Sequence, residues 1–76
     1  MTEKIAQARA MLASALEVDV ADIAPDAAID TEERWDSLAH MRVILALQEA
    51  VGAPLAPEVV VAIASLADIA EVLAQA

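Results

Sequence analysis

The chain has 76 residues, enough for one small domain but too few for a deep catalytic cleft. Thirteen acidic residues against four basic ones give a formal net charge of −9, which repels nucleic-acid phosphates and favours partners with basic patches. The absence of cysteine excludes disulfides and thiolate ligands, and with a single histidine we expect no metal site. We therefore expect one domain over residues 1–76 that is cytoplasmic, monomeric, without a membrane span, and not a nucleic-acid binder.

Twenty alanines and one glycine favour helix throughout, and the pattern predicts an all-α bundle of three longer helices and one short one. The first helix is predicted over 3–17, with one apolar face. The second begins at Asp36 or Ser37, since both residue types cap helices well. It ends near Val51, where Gly52 suits a left-handed cap.

The last two helices are shorter, and both have clear start signals. Pro57 suits the first position of a short third helix over 57–63, whose sequence is nearly all apolar. "SLAD" at 65–68 has the form of a capping box and opens the fourth helix. The inward-facing residues expected there are Leu66, Ile69, Val72 and Leu73.

A long acidic loop is predicted between the first two helices. Between Glu17 and Asp36 the helical pattern dissolves, Pro25 breaks the chain, and eight carboxylates face the single Arg34. A loop of this length is uncommon in a compact domain and is often functional. Its expected apolar anchors are Val18, Val20, Ile23 and Ile29.

The second helix carries two apolar stripes. At about 100° per residue, its large side chains cluster on two nearly opposite sides of the helical wheel. One side of a helix in a small bundle faces the core, so the other stripe should be exposed, unless the helix runs through the middle of the bundle and buries both. The expected inner residues are Val43, Ile44, Leu47 and Val51, and the expected outer residues are Leu38, Met41 and Leu45.

Alone, Ser37 is most simply a helix cap, but the whole pattern resembles the carrier protein family: the acyl carrier proteins and their aminoacyl and peptidyl relatives. The resemblance rests on the "DSL" at 36–38 after a long acidic loop, on "LEVDVADIAPDAAI" and "LQEAVGAPLAP", and on "IASLADIAEVL" at 63–73. It covers essentially the whole chain.

The resemblance implies that Ser37 is the attachment site of a 4′-phosphopantetheine arm, moved from coenzyme A by a phosphopantetheinyl transferase. The arm's thiol would carry the substrate as a thioester, which fits the missing cysteine. Asp36 would help the transferase position its metal and the serine, and Leu38 and Met41 would meet partner enzymes. Other implied partners are an acyl- or aminoacyl-loading ligase or synthetase and downstream transferases or synthases.

Departures from the family pattern indicate a specialised carrier for a dedicated lipid or secondary-metabolite pathway. "EERW" stands where many fatty-acid carriers have a leucine and a glycine, and Trp35 is expected to pack against the bundle in their place. Ala39, Arg42 and Gln48 stand at positions that are often acidic in primary fatty-acid carriers. Arg42 lies beside the outer stripe on the helical wheel and joins Leu45 as an expected partner contact.

Two other functions fit parts of the pattern. An enzyme could use Asp36, Ser37 and His40, but an aspartate adjacent to the serine cannot orient the far side of the imidazole ring, and His40 falls on the core side. A small interaction module could dock partners through Leu38, Met41 and Leu45 with its serine unmodified. We expect a carrier that is not itself an enzyme.

A carried lipid chain is expected to enter the bundle between the second and third helices. The expectation follows from the family resemblance and from the nearly all-apolar third helix. The contacts expected are Val43, Leu47, Val59 and Ile63.

Overall fold

The structure, a computed structural model, describes the backbone of residues 2–75 and the side chains of residues 3–75. It contains helices α1 (Thr2–Leu16), α2 (Ser37–Val51), α3 (Pro57–Ala62) and α4 (Leu66–Gln75). The predicted all-α bundle is confirmed, with each helix boundary within about one residue of the sequence expectation. None of the described helices is long and apolar enough to cross a bilayer.

The core lies where α1, α2 and α4 meet. Helix α1 packs against α4 and α2, and α2 also packs against α4. The short α3 contributes no fully buried residue and lies at the edge, with Val61 83% exposed. The largest fully buried side chains are Leu12, Ile23, Val43, Leu47, Leu66 and Ile69.

Helix α1 ends in a Schellman motif whose left-handed residue is a glutamate. Glu17 has φ +59°, its N–H bonds the carbonyl of Ser14 at 3.2 Å, and the N–H of Val18 bonds the carbonyl of Ala13 at 3.0 Å. Glycine is the usual residue at this position because a Cβ is disfavoured there. Helix α2 ends more conventionally, on Gly52 with φ 75°.

The loop between α1 and α2 is more ordered than its composition indicates. Residues Val20–Asp22 form a 3₁₀ turn that the sequence pattern did not predict. Two backbone hydrogen bonds then tie the loop to the start of α4: the N–H of Ile29 donates to Ala64 at 2.8 Å, and the N–H of Leu66 donates to Ala27 at 2.9 Å. These bonds satisfy backbone groups that the helix itself leaves unpaired.

Two of the four expected loop anchors are wrong. Ile23 is buried and Val18 packs against the core, as predicted, but Val20 and Ile29 are 44% and 41% exposed. Hydrogen bonds to the main chain hold these two positions, so their own side chains are not needed as anchors. The carbonyl of Val20 accepts from the Arg9 side chain, and the N–H of Ile29 donates to the carbonyl of Ala64.

The fourth helix begins at a modified capping box. The N–H of Asp68 donates to Oγ of Ser65 at 3.1 Å, which confirms the predicted cap. The Asp68 carboxylate accepts a hydrogen bond from the N–H of Ala64 at 2.9 Å. In the standard capping box it would accept from the cap residue itself, here Ser65.

Candidate functional site

Asp36, not Ser37, caps helix α2. The Asp36 backbone is extended, and its Oδ1 accepts a hydrogen bond from the N–H of Ala39 at 2.9 Å. Ser37 is therefore the first residue of a 15-residue helix. This answers the question that the sequence left open between the two residues.

The Ser37 hydroxyl is exposed, and within the described part of the chain no hydrogen bond holds it. Its N–H and that of Leu38 have no intrahelical acceptor, and they lie at the positive end of the helix dipole. The other two serines differ: Ser65 is occupied as a cap, and Ser14 lies within α1. Ser37 thus combines an accessible nucleophilic oxygen with a local environment that favours an anion.

An open apolar groove of about 510 Å³ lies beside Ser37. A group attached covalently beside it can lie along this groove, which a fully packed surface would not offer. The lining residues are Ile29, Trp35, Asp36, Ser37, His40 and Met41.

Trp35 and His40 form the inner wall of this groove. Trp35 is 2% exposed, which confirms that it packs into the bundle, and its Nε1 donates to Nδ1 of His40 at 3.1 Å. The other imidazole nitrogen, Nε2, lies 3.2 Å from the carbonyl oxygen of Val60 in α3. Both nitrogens of the half-buried His40 are therefore engaged away from Ser37, and the serine–histidine arrangement that an enzyme would need is not assembled here.

The two apolar stripes of α2 are confirmed. Val43 and Leu47 are fully buried, whereas Leu38, Met41 and Leu45 are 60%, 57% and 59% exposed. The alternative in which α2 buries both stripes is wrong. The outer stripe (Leu38, Met41 and Leu45) begins directly after Ser37 and forms an exposed apolar surface of the kind found at docking sites.

Arg42 also contacts its own chain. Its Nη1 donates to the carbonyl oxygen of Ala15 at 3.3 Å and lies 3.7 Å from Oε1 of Glu17. A cation is favourable at this point because α1 ends there and its unpaired carbonyls carry partial negative charge. The helical wheel of α2 could not reveal this contact, since it shows no neighbouring helix.

Arg9 is a structural residue that sequence reasoning missed. From α1 its Nη2 donates to the carbonyl oxygen of Val20 at 3.2 Å and to that of Ile23 at 2.7 Å, holding the first part of the acidic loop. The only signal in the sequence was a lone charge in the middle of an alanine-rich helix.

An ion pair shapes the loop just before Asp36. Nε and Nη2 of Arg34 donate to the two carboxylate oxygens of Glu32 at 2.9 and 3.0 Å. Hydrogen bonding to Arg34 holds the pKa of the Glu32 carboxyl below its usual range, and the same bonds raise the pKa of Arg34. The "EERW" segment therefore forms a local turn of its own, in which Arg34 is neutralised.

A second apolar cleft lies between α3 and α4. It has a volume of about 250 Å³, and its lining includes Val59 and Ile63, two of the four residues expected to contact a lipid chain. The other two, Val43 and Leu47, are fully buried in the core. Val59 and Ile63 thus line the cleft toward α4, while Ile63 also belongs to the core cluster that contains Val43 and Leu47.

A protein-family model described as a phosphopantetheine attachment site matches residues 6–73. The chain belongs to this family. Searches among curated proteins and among solved structures found no significant match. The resemblance to carrier proteins is confirmed over nearly the whole domain.

Membership of the phosphopantetheine attachment-site family implies a covalently attached 4′-phosphopantetheine and interactions with the enzymes that modify and use such carriers. The attached group supplies a terminal thiol, which forms thioesters with acyl groups. The chain contains no cysteine of its own to do so. These residues fit such a group. The exposed Ser37 hydroxyl and the free N–H groups of α2 suit a phosphodiester, and the apolar groove suits its arm.

Proposed function

We propose that this domain is an acyl or aminoacyl carrier whose 4′-phosphopantetheine is attached to Ser37. The observation that carries the proposal is the exposed, unbonded Ser37 hydroxyl at the start of α2 in a chain of the phosphopantetheine attachment family. The Ser65 hydroxyl already caps α4. Ser14 lies inside α1, where the backbone N–H groups are hydrogen-bonded within the helix. Neither offers the same combination of free hydroxyl and helix N-terminus.

The attachment chemistry needs little from the carrier. The Ser37 oxygen forms a bond to phosphorus, the pyrophosphate bond of coenzyme A breaks, the adenosine bisphosphate leaves, and the hydroxyl proton passes to the transferase or solvent. The carrier presents the oxygen in an accessible position, and the first N–H groups of α2 stabilise the resulting phosphodiester by roughly 0.3 to 1 kcal/mol. Asp36 fixes the start of the helix and offers a second carboxylate oxygen to the transferase metal.

Partner enzymes dock on the outer stripe beside the attachment site. The expected partners are the phosphopantetheinyl transferase, a loading ligase or synthetase, and downstream transferases or synthases. The eight carboxylates between Glu17 and Asp36 attract basic partner surfaces at long range, whereas α2 from Ser37 to Ala50 holds only Arg42 and Glu49. This charge distribution supports a role in a dedicated pathway rather than in general fatty-acid synthesis. In that role the chain itself performs no catalysis.

A second candidate is an interaction module that is never modified. The exposed outer stripe favours it, because apolar stripes at helical spacing dock partners without any prosthetic group. The two functions predict different protein masses, because only a carrier gains a phosphopantetheine on Ser37.

Co-expression with a phosphopantetheinyl transferase, followed by intact-protein mass measurement, tests the proposal. Wild type and Ser14→Ala should each gain one phosphopantetheine, and Ser37→Ala should gain none. Ser14→Ala is a matched control because Ser14 is also exposed. An unmodified wild type would refute attachment at Ser37 and favour the interaction module. A modified Ser37→Ala variant would also refute attachment at Ser37, by placing it at another residue.

A further inference from the structure

Two hydrogen bonds through His40 connect three segments beside Ser37. Trp35 donates from the loop to Nδ1, and Nε2 lies 3.2 Å from the carbonyl oxygen of Val60 in α3. An indole N–H can only donate, so Nδ1 must accept and Nε2 must carry the hydrogen that binds Val60. The neighbours of His40 therefore select one neutral tautomer, with loop and α3 held on opposite sides of one ring.

The surroundings of Ser37 depend on this ring. Trp35 lies two residues before Ser37, and both Trp35 and His40 line the groove next to the hydroxyl. Helix α3 has no fully buried residue of its own, so the bond from His40 to Val60 is one of few contacts that fix its position. Loss of the ring's hydrogen bonds would free Trp35, which lines the groove, and would release α3 from α2, without touching the serine.

We propose that His40 is a positioning residue for modification of Ser37, acting through Trp35 and α3; this role rests on the attachment proposed above. Protonation of Nδ1 would put two hydrogen-bond donors face to face and break the bond from Trp35. The positioning therefore requires the neutral imidazole, with its Nδ1 free to accept from Trp35.

The charged groups around His40 are few. Asp36 is the other titratable residue lining the groove. The only carboxylate of α3, Glu58, lines the cleft toward α4, and Arg42, two residues further along α2, is directed at Ala15. The loop side presents Trp35 and Ile29, which do not titrate in this range.

Nitrogen-15 NMR of the imidazole tests the tautomer directly, and the single histidine needs no assignment. The hydrogen should reside on Nε2 at neutral pH, whereas a hydrogen on Nδ1 would overturn the proposal. Fluorescence of the single tryptophan should differ between about pH 8 and pH 5 in wild type and stay level in His40→Gln. Glutamine is the matched variant because its Oε1 can accept from Trp35 and its amide can donate to Val60.

The functional test compares rates of phosphopantetheine transfer to wild type and His40→Gln with one transferase, from about pH 5 to 8, where imidazoles titrate. The enzyme's own pH dependence cancels in the ratio. The ratio of the wild-type rate to the His40→Gln rate should be near one at the alkaline end and fall about fivefold at the acidic end, which corresponds to one net hydrogen bond. His40→Leu, which can form neither bond, should be slowed about fivefold or more at every pH.

The outcomes separate the two proposals. Coinciding pH profiles for wild type and His40→Gln, on proteins that are both modified, would overturn the positioning role and leave attachment at Ser37 intact. Absence of modification on every variant would overturn both. Trp35→Phe should slow transfer about fivefold, because it keeps an aromatic ring but removes the N–H donor and so loses one of the two bonds.

Discussion

Nη1 of Arg42 donates a hydrogen bond to the carbonyl oxygen of Ala15, so a residue beside the outer stripe of α2 also closes the end of α1. The neighbouring Glu17 carboxylate lies 3.7 Å away. A substitution at Arg42 therefore changes the stability of the bundle as well as the charge of the partner surface, and the two effects must be measured apart.

Arg42→Glu should lower the free energy of unfolding, because it places a carboxylate beside Glu17 and the negative end of α1. The Arg42 side chain is 44% exposed, so solvent screening limits the loss to about 1 kcal/mol. Arg42→Gln, which removes the positive charge without adding a negative one, should lose less. Urea unfolding of both variants checks this, and equal stability of Arg42→Glu and wild type would contradict the capping role.

The same substitution should change partner choice. We expect Arg42→Glu to improve recognition by generic fatty-acid synthase enzymes and to weaken recognition by the cognate enzyme, because it restores an acidic charge beside the outer stripe. Transfer rates at low and moderate salt measure this, since a charge effect fades with screening. Unchanged rates with both classes of partner would mean that the apolar stripe alone is recognised.

Met41→Ala should weaken recognition by both classes of partner while leaving the free energy of unfolding within about 0.5 kcal/mol of wild type, since the side chain is 57% exposed. Leu47→Ala, on the buried side of the same helix, is the opposite case. Leu47 is fully buried, and truncating it should cost about 2 to 5 kcal/mol and leave the domain largely unfolded. A loss of stability in Met41→Ala comparable to that in Leu47→Ala would contradict the assignment of the outer stripe.

Glu17→Gly should stabilise the protein by about 0.5 kcal/mol. Glycine removes the cost of a Cβ at φ +59°, which exceeds the weak, exposed ion pair that is lost. Glu17→Ala is the control, because it loses the ion pair but keeps the Cβ. In thermal unfolding, Glu17→Gly should have a higher Tm than wild type, and Glu17→Ala the same Tm or a lower one. The reverse order would show that the ion pair contributes more to stability than the Cβ costs.

Stability should also depend on the Glu32–Arg34 pair at acidic pH. Because the pKa of Glu32 is lowered in the folded state, its contribution is complete above the pKa of an unfolded glutamate and is lost as the pH falls through the lowered value. Glu32→Gln should be slightly less stable than wild type at neutral pH, where the pair contributes, and the two proteins should converge at low pH, where Glu32 is protonated. Acid titrations followed by circular dichroism measure the difference, and identical profiles would show that the pair does not contribute.

The sequence predicted much of the fold because helix periodicity and capping are local signals. Helix boundaries, the SLAD cap, the Gly52 stop and the two faces of α2 all follow from residues within a few positions of one another. The same local pattern placed Ser37 at the head of α2 but could not distinguish it from Asp36 as the cap. That distinction needed backbone geometry.

Contacts between distant segments were out of reach. His40 and Val60 are twenty residues apart, and Arg42 and Ala15 twenty-seven, so no periodicity reports them. Val20 and Ile29 were misassigned as anchors because apolar character alone does not show whether a loop is held by side chains or by backbone hydrogen bonds.

Asp36 allows helix capping and transferase recognition to be measured separately. Asp36→Ala should lower the free energy of unfolding by about 1 kcal/mol through loss of the cap, whereas Asp36→Asn should retain it. If the carboxylate also serves the transferase metal, Asp36→Asn should fold like wild type yet accept phosphopantetheine more slowly. Equal transfer rates for Asp36→Asn and wild type would restrict Asp36 to capping.

The central claim is that Ser37 carries the prosthetic group, and tryptic peptide mapping tests it most directly. Cleavage after Arg34 and Arg42 releases residues 35–42, in which Ser37 is the only hydroxyl side chain, while Ser14 and Ser65 fall on other peptides. Tandem mass spectrometry of protein produced with a phosphopantetheinyl transferase should place the added phosphopantetheine on the 35–42 peptide. Its appearance on residues 10–34 or 43–76 instead would contradict the assignment.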